Sequence, residues 1–256
     1  MEELFKKVKE RFQLLPEGML HIKDLQSLVF ADTHIGLEFA LAEKGLFIPP
    51  VQYSRMKLNI LRAIKHAKPE RIIILGDLKH KFEERTPQEH KEVLDLLASL
   101  KSLNKELILI RGNHDTYISG FLERFGVKVL DYLILEDIVL IHGHKPVPED
   151  IVTEDKFLVM AHVHPVVTVF DGISHHRFKC FLLGERSLIL PALTPLLSGF
   201  DIINGMMDSD EYKSPLLEDN LNDYEVILVS TAGHVLNFGK VIQLQDRLKR
   251  GIIVNH

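Results

Sequence analysis

The sequence predicts an α/β protein in which two sheets pack together with helices outside, and three observations predict it. Between residues 27 and 110 the apolar pattern runs strand, helix, strand, helix, strand, an order that implies right-handed crossovers and a largely parallel sheet. Beyond about residue 125 the pattern changes to short strands set close together. No internal repeat, low-complexity tract or linker divides the 256 residues, so a single domain over 1–256 is expected. A domain of that size buries roughly three quarters of its extended-chain surface.

Taken in order, Met1–Phe12 places Leu4, Phe5, Val8 and Phe12 at helical spacing and reads as a short surface helix. Ser27–Ala31 is a compact apolar run, expected as the first central strand. Ile35–Leu46 and Val51–Lys68 follow as helical patterns parted by Pro49-Pro50. The second has Met56, Leu58, Ile60, Leu61 and Ile64 for a buried face. Arg71–Leu75 is the next buried strand, stopped by Gly76. A helix through Leu103 opens at Thr86-Pro87, where Thr86 can cap it and Pro87 fits its first turn. Leu107–Ile110 is the third strand. Val127–Leu130, Leu133–Leu135, Ile138–Ile141, Phe157–Ala161, Val166–Phe170, Phe178–Leu183 and Leu188–Leu190 are the expected short strands, with Asp171-Gly172 as a turn. Tyr224–Ser230 and His234–Leu244 read as a closing hairpin.

Composition excludes some roles. A hydrophobic share of 46% and a charged share of 26% are ordinary for a soluble globular protein. No window reaches the length of a membrane span and the N-terminus is charged, so a cytoplasmic protein without membrane contact is expected. Cys180, the single cysteine, rules out an internal disulfide, and its apolar surroundings suit a buried thiol. The absence of Trp and the presence of only five Tyr argue against an aromatic base-stacking platform. A net charge of −5 gives no support for strong non-specific DNA binding. Eight acidic residues against Lys213 alone lie in Asp201–Glu225, read as a solvated loop with a lid or partner surface as the rival; the remainder is slightly positive.

Five polar clusters stand at predicted strand ends: Asp32 and His34; Asp77 and His80; Asn113, His114 and Asp115; His142 and His144; His162 and His164. In extended backbone, residues i and i+2 project to one side, so Asp32 with His34, and His162 with His164, are expected to face one locus. Parallel strands gather their carboxyl ends along one edge, where such clusters converge. Carboxylate, imidazole and amide together suit manganese, iron, zinc or nickel rather than an all-oxygen magnesium or calcium cage. The surplus of ligands suggests two ions, the arrangement used for in-line displacement at phosphorus. Singly, an Asp-x-His or His-x-His is weak and more often structural. All five clusters in order, each at a strand end, are hard to explain that way. The remaining histidines, such as His66, His90, His175 and His234, read as solvated or structural.

The order Asp32-x-His34, Gly76-Asp77, Gly112-Asn113-His114-Asp115, His142 and His162-x-His164 resembles the calcineurin-like metallophosphoesterase superfamily. Asp77-Leu78-Lys79-His80 is similar to the second motif of SbcD-type nucleases. Ala31–Gly36 and Leu190-Pro191-Ala192 resemble an SbcD-related prokaryotic phosphoesterase group that includes ligase-associated DNA-damage-response endonucleases. The resemblance implies a four-layer αββα sandwich, two mixed sheets face to face with helices outside. It implies two divalent ions, manganese first among manganese, iron, zinc and nickel. Asp32, His34 and His164 would hold one ion and Asn113, His142 and His162 the other, with Asp77 bridging. His114 would be a non-ligand aiding the leaving group or transition state, Asp115 would orient His114, and His80 would contact the substrate phosphate. Ala161 stands where the family has glycine; no counterpart of the nuclease family's DNA-capping domain is evident.

The expected activity is phosphodiester hydrolysis, as a phosphodiesterase or nuclease, by a hydroxide bridging the two ions. The substrate is then a phosphoester, nucleic acid or nucleotide among the choices, and DNA-repair proteins are the implied partners. A cyclic-nucleotide phosphodiesterase and a phosphomonoesterase are the rivals within the enzyme class. Lys79, Arg111, Lys145 and Arg177 are the cations that could serve the extra charge of a monoester. A non-catalytic module of the same fold is the rival outside it, though such a module is expected to have lost ligands.

Overall fold

The aliphatic runs form strands, and the sheet they join explains why so few of their residues alternate with polar ones. A computed structural model of the chain describes residues 10–81, 86–116, 118–170, 172–197, 199–204, 212–217 and 221–249. A six-stranded sheet has the order β1 (Phe12–Leu15), β2 (Met19–Ile22), β3 (Ser27–Phe30), β4 (Arg71–Leu75), β5 (Glu106–Ile110) and β6 (Val127–Leu130). β3 to β6 are parallel, and β1 and β2 add an antiparallel hairpin. Pairing of Phe30 with Ile74 and of Leu75 with Ile110 brings three strand ends to one edge.

The crossovers carry α1 (Leu37–Glu43), α2 (Gln52–Ala67) and α3 (Pro87–Lys101), and a single turn, α4 (Ser119–Leu122), precedes β6. α3 opens as predicted: the Thr86 hydroxyl accepts the Glu89 N–H at 3.1 Å, with Pro87 in the first turn. A seven-stranded sheet runs β16 (Val235–Lys240), β15 (Glu225–Val229), β12 (Phe181–Leu183), β13 (Ser187–Ile189), β9 (Phe157–Met160), β8 (Ile138–Ile141) and β7 (Tyr132–Leu135). A small third sheet joins β11 (His175–Lys179), β10 (Pro165–Phe170) and β14 (Phe200–Asp201), and α5 (Val241–Lys249) follows β16.

Alternating residues sort into three apolar layers. Leu28, Phe30, Ile72, Ile74, Leu107 and Leu109 meet α2 and α3 through Ile60, Ile64, Leu96 and Leu97. Their neighbours Val29, Ile73, Leu75, Ile108 and Ile110 face Ile138, Leu140, Val159, Leu188 and Ile227 of the second sheet. That sheet's outer residues, among them Ile141, Met160 and Leu182, pack with Val167, Phe200, Val241 and Leu244. The two mixed sheets therefore lie face to face, as expected of an αββα sandwich. The fourth layer is shared between α5 and the small third sheet.

Several expectations are corrected. Most of the proposed helix Met1–Phe12 lies outside the described residues, and Phe12 begins β1. His234–Leu244 is strand only to Lys240; Val241 and Leu244 are the buried residues of a helix, spaced three apart. Phe178–Leu183 divides at Cys180 between two sheets. Asp171 of the predicted turn lies outside the described residues, as do 205–211 and 218–220 of the acidic segment. Among the described residues no helix is long and apolar enough to cross a membrane.

Candidate metal centre

The loops leaving β3 and β4 are laced together before any side chain is considered. The Asp32 N–H donates to the Gly76 carbonyl (3.0 Å), His34 N–H to Asp77 (2.9 Å) and Ile35 N–H to Leu78 (3.0 Å). The Thr33 hydroxyl adds a bond to the Leu78 carbonyl at 2.7 Å. From behind, Leu193 and Thr194 donate N–H groups to the carbonyls of Ala31 (2.9 Å) and Asp32 (3.2 Å). Lys179 supports that segment by donating to the Ala192 and Leu193 carbonyls, 2.6 and 2.8 Å away. Its ammonium is pushed down to about 8 by burial.

These turns are not extended. Asp32 (φ 53°), His34 (42°), Asp77 (50°), His162 (68°) and His164 (48°) are left-handed, and make up five of the ten non-glycine residues at positive φ among those described. The expectation that Asp32/His34 and His162/His164 converge by strand alternation is thus corrected: each pair is delivered by a left-handed turn. Such backbone costs on the order of 1–3 kcal/mol per residue and survives only where the surroundings fix it. Two glycines show how close those surroundings are. A Cβ on Gly76 would collide with the His142 imidazole, and one on Gly112 with the Asp77 carboxylate. Ala161 has no such constraint; its methyl sits in the layer between the sheets.

The side chains meet in a buried group. His164 Nε2 lies 3.2 Å from Asp32 Oδ1, and His34 Nε2 lies 3.5 Å from Asp77 Oδ2. His142 Nε2 lies 3.4 Å from the same Asp77 oxygen and 3.2 Å from Asn113 Oδ1. Asp77 Oδ2 therefore stands between His34 and His142. Asp32 Oδ1 also approaches His142, at 3.7 Å. Asp32, His34 and His164 form one set able to hold a metal ion, and Asp32, Asp77 and His142 a second.

The fit is tested by what these atoms lack. Asp32 Oδ1, His34 Nε2, Asp77 Oδ2 and both ring nitrogens of His164 are buried with no hydrogen-bond partner. Leaving such groups unsatisfied costs on the order of 1–3 kcal/mol each. Divalent cations of the manganese, iron or zinc kind satisfy this donor set. The electrostatics agree. Burial pushes Asp32 and Asp77 up, yet neighbouring histidines, His164 first for Asp32 and His142 for Asp77, bring both below the usual carboxylate range. Burial opposes charge on His142, but Asp77 holds its imidazolium up to about 9. Its Nδ1 donates to the Leu75 carbonyl at 2.9 Å, which turns Nε2 toward Asp77.

His114 is placed beside the same centre. Its N–H donates to Asp77 Oδ1 (2.8 Å) and its Nδ1 meets the His80 carbonyl, while Nε2 lies 3.9 Å from Asp77 Oδ2. The Asp115 carboxylate takes the N–H groups of Leu78 and Gly112, each at 3.0 Å, and so ties the two loops together. Burial and then the charge of Asp77 raise it to about 6. His80 Nδ1 lies 3.3 Å from His34 Nδ1, and His34, His80 and His114 together form a third grouping able to hold a metal ion.

His162 reaches the centre with its ring centroid 5.2 Å from that of His142, and its Nε2 donates to the Lys213 carbonyl at 3.2 Å. His144, given no role from sequence, lies beside both, 5.2 Å from His142 and 6.2 Å from His162. Its Nδ1 is buried and unpartnered, and burial lowers its imidazolium to about 4. The His-x-His spacing of His142 and His144 was its only signal. Lys213 and its neighbours gave none, since nothing in an acidic stretch announces a carbonyl.

The fold and the buried histidine–carboxylate centre are those of a metal-binding hydrolase acting on phosphoesters. The model of the calcineurin-like phosphoesterase family matches residues 25–205, and the chain belongs to that family. No curated protein matches the chain. Among solved structures it is similar to the Pseudomonas putida nuclease MPE, at 24% identity over 89% of this chain and 94% of that one, with a TM-score of 0.64. The Escherichia coli phosphoesterase Yfce is 15% identical over 82% of this chain and 96% of its own, with a TM-score of 0.41. The Aquifex aeolicus protein AQ665, of unknown function, is 23% identical over 54% and 78%, with a TM-score of 0.37.

Proposed function

We propose that the chain is a dinuclear metal-dependent phosphodiesterase or nuclease, with manganese the foremost candidate ion. Asp32, His34 and His164 hold one ion, Asn113, His142 and His162 the other, and Asp77 joins them. The observation that carries this reading is the convergence of buried, unpartnered Asp32 Oδ1, His34 Nε2, Asp77 Oδ2 and His164 Nε2. Two bound cations supply hydroxide from water near neutral pH and a positive clamp on the phosphoryl oxygens.

The chain's own groups do the rest. The Leu75 carbonyl holds the His142 Nδ1 proton and so keeps Nε2 turned inward. His114, with Nδ1 against the His80 carbonyl, presents Nε2 to the centre, placed to assist the leaving group or the transition state. His80, beside His34, contacts the substrate phosphate.

A diester is favoured over a monoester because three of the four candidate cations, Lys79, Arg111 and Lys145, are engaged elsewhere. Lys79 is buried with its ammonium on the Lys81 carbonyl. Arg111 and Lys145 both pair with Asp131, at 3.4 and 3.0 Å. A nuclease is the form of diesterase chosen first, since the structurally similar Pseudomonas putida protein is a nuclease. The test is a manganese-supplemented panel of a generic diester, a monoester, cyclic nucleotides, and single- and double-stranded DNA. Turnover of the diester and at least one DNA substrate is expected. A fully metal-loaded protein inert toward the whole panel would establish a non-catalytic module instead.

A further inference from the structure

The acidic stretch, read from sequence as a solvated loop, sends one segment to the metal centre. Tyr212 packs its ring against His164, centroids 5.2 Å apart. The Lys213 carbonyl accepts the His162 Nε2 proton at 3.2 Å. The Ser214 hydroxyl donates to the Gly143 carbonyl at 2.6 Å and accepts the Leu216 N–H at 3.2 Å. Gly143 directly follows His142 and sits at φ 108°. Leu216 and Leu217 then pack on the outer apolar layer of the seven-stranded sheet. Successive residues thus touch the two turns that carry His142, His162 and His164, and an apolar foot holds them there.

We propose that Tyr212–Leu217 is a strap that positions the ligands of the second cation, with Ser214 and the Lys213 carbonyl as its positioning groups. This rests on the reading above that His142 and His162 hold that cation. A carbonyl at Nε2 fixes the imidazole tautomer: the proton stays on Nε2 and the lone pair stays on Nδ1, so Nδ1 is the nitrogen His162 offers to a metal ion. Leu75 does the same for His142 with the nitrogens reversed, keeping the proton on Nδ1 and Nε2 free to bind. The two rings of the second half are thereby set in opposite senses by two backbone carbonyls, one from within the first sheet and one from the strap. Ser214 keeps the strap at the height where its carbonyl meets His162.

The experiment is manganese titration of the metal-free full chain by calorimetry, for the wild type, Ser214→Ala and Ser214→Thr. The wild type is expected to take up two equivalents. Ser214→Ala weakens one of them by about 10–100-fold, the range for loss of an outer support, and leaves the other unchanged. Ser214→Thr, which keeps the hydroxyl, restores it. A wild type binding fewer than two equivalents overturns the dinuclear reading itself. Two equivalents that Ser214→Ala binds as tightly as the wild type leave that reading standing and overturn the strap. Should Ser214→Ala fail to fold, ¹⁵N ring spectra of the metal-free wild type decide, with the His162 signals assigned by their loss in His162→Gln. Protonated Nε2 with bare Nδ1 is expected, and the opposite tautomer overturns the inference.

Discussion

The two edges of the parallel sheet both carry ionisable residues, and they use them to opposite ends. At the amino ends of β4, β5 and β6, Arg71 reaches Glu106 at 2.7 Å and Lys128 reaches it at 2.6 Å, partly in solvent. Lys128 first, then Arg71 against some burial, hold that carboxylate below its usual range. At the carboxyl ends of β3 and β4, Asp32, His34 and Asp77 are buried, on left-handed backbone, and Asp32 Oδ1, His34 Nε2 and Asp77 Oδ2 have no hydrogen-bond partner. One edge pairs its charges partly in solvent, and the other buries carboxylates among histidines. Charge alone therefore says little about function. Charge that is buried, unsatisfied and held by costly backbone says much more.

The comparison is broken most sharply at Asp77. Asp77→Ala should bind neither cation firmly and show no turnover, which metal analysis and a diester assay check together; two firmly held ions would remove its bridging role. His114→Ala should keep both ions yet lose roughly 10²–10⁴-fold in diester turnover, the usual worth of a positioned acid. Full turnover in that variant would remove His114 from the reaction. Removing cations with a chelator should lower the melting temperature, and manganese at a hundred times its dissociation constant should restore about 2.7 kcal/mol per site. Away from the centre, Thr86→Ala should cost about 1 kcal/mol in urea unfolding with turnover unchanged. At the amino edge, Arg71→Ala should cost no more than about 1 kcal/mol and leave metal binding intact. A loss of metal there would mean that the two edges are coupled.

The parallel core was legible because its strands are buried on both faces. Ser27–Phe30, Arg71–Leu75 and Leu107–Ile110 needed no alternation to be recognised, and their ends located the polar clusters. Thr86-Pro87 marked a helix start for a local reason that the structure repeats. What escaped was set by non-local contacts. β2 is held by pairing with β3 and β1 by pairing with β2, with Pro16-Glu17-Gly18 between them as a turn. β11 is polar and exposed, and is a strand only because β10 is beside it. Val241–Leu244 follows β16 without a break, so its apolar residues read as more strand. In the centre, the residues that converge were legible from the order of polar clusters at strand ends. The left-handed turns, the Asp115 bonds and the Lys213 carbonyl were not, because none has a residue-type signature.

His142 leaves β8 in the seven-stranded sheet, yet its Nδ1 proton ends on Leu75 and its ring closes over Gly76, both in the six-stranded one. On the proposed reading, a cation at its Nε2 would be a rivet through two layers: an excursion that parts the sheets would release the ion, and an ion that stayed bound would report that they had not parted. Ion exchange and amide exchange in β4 and β8 should then share one opening event, with chelator accelerating both alike.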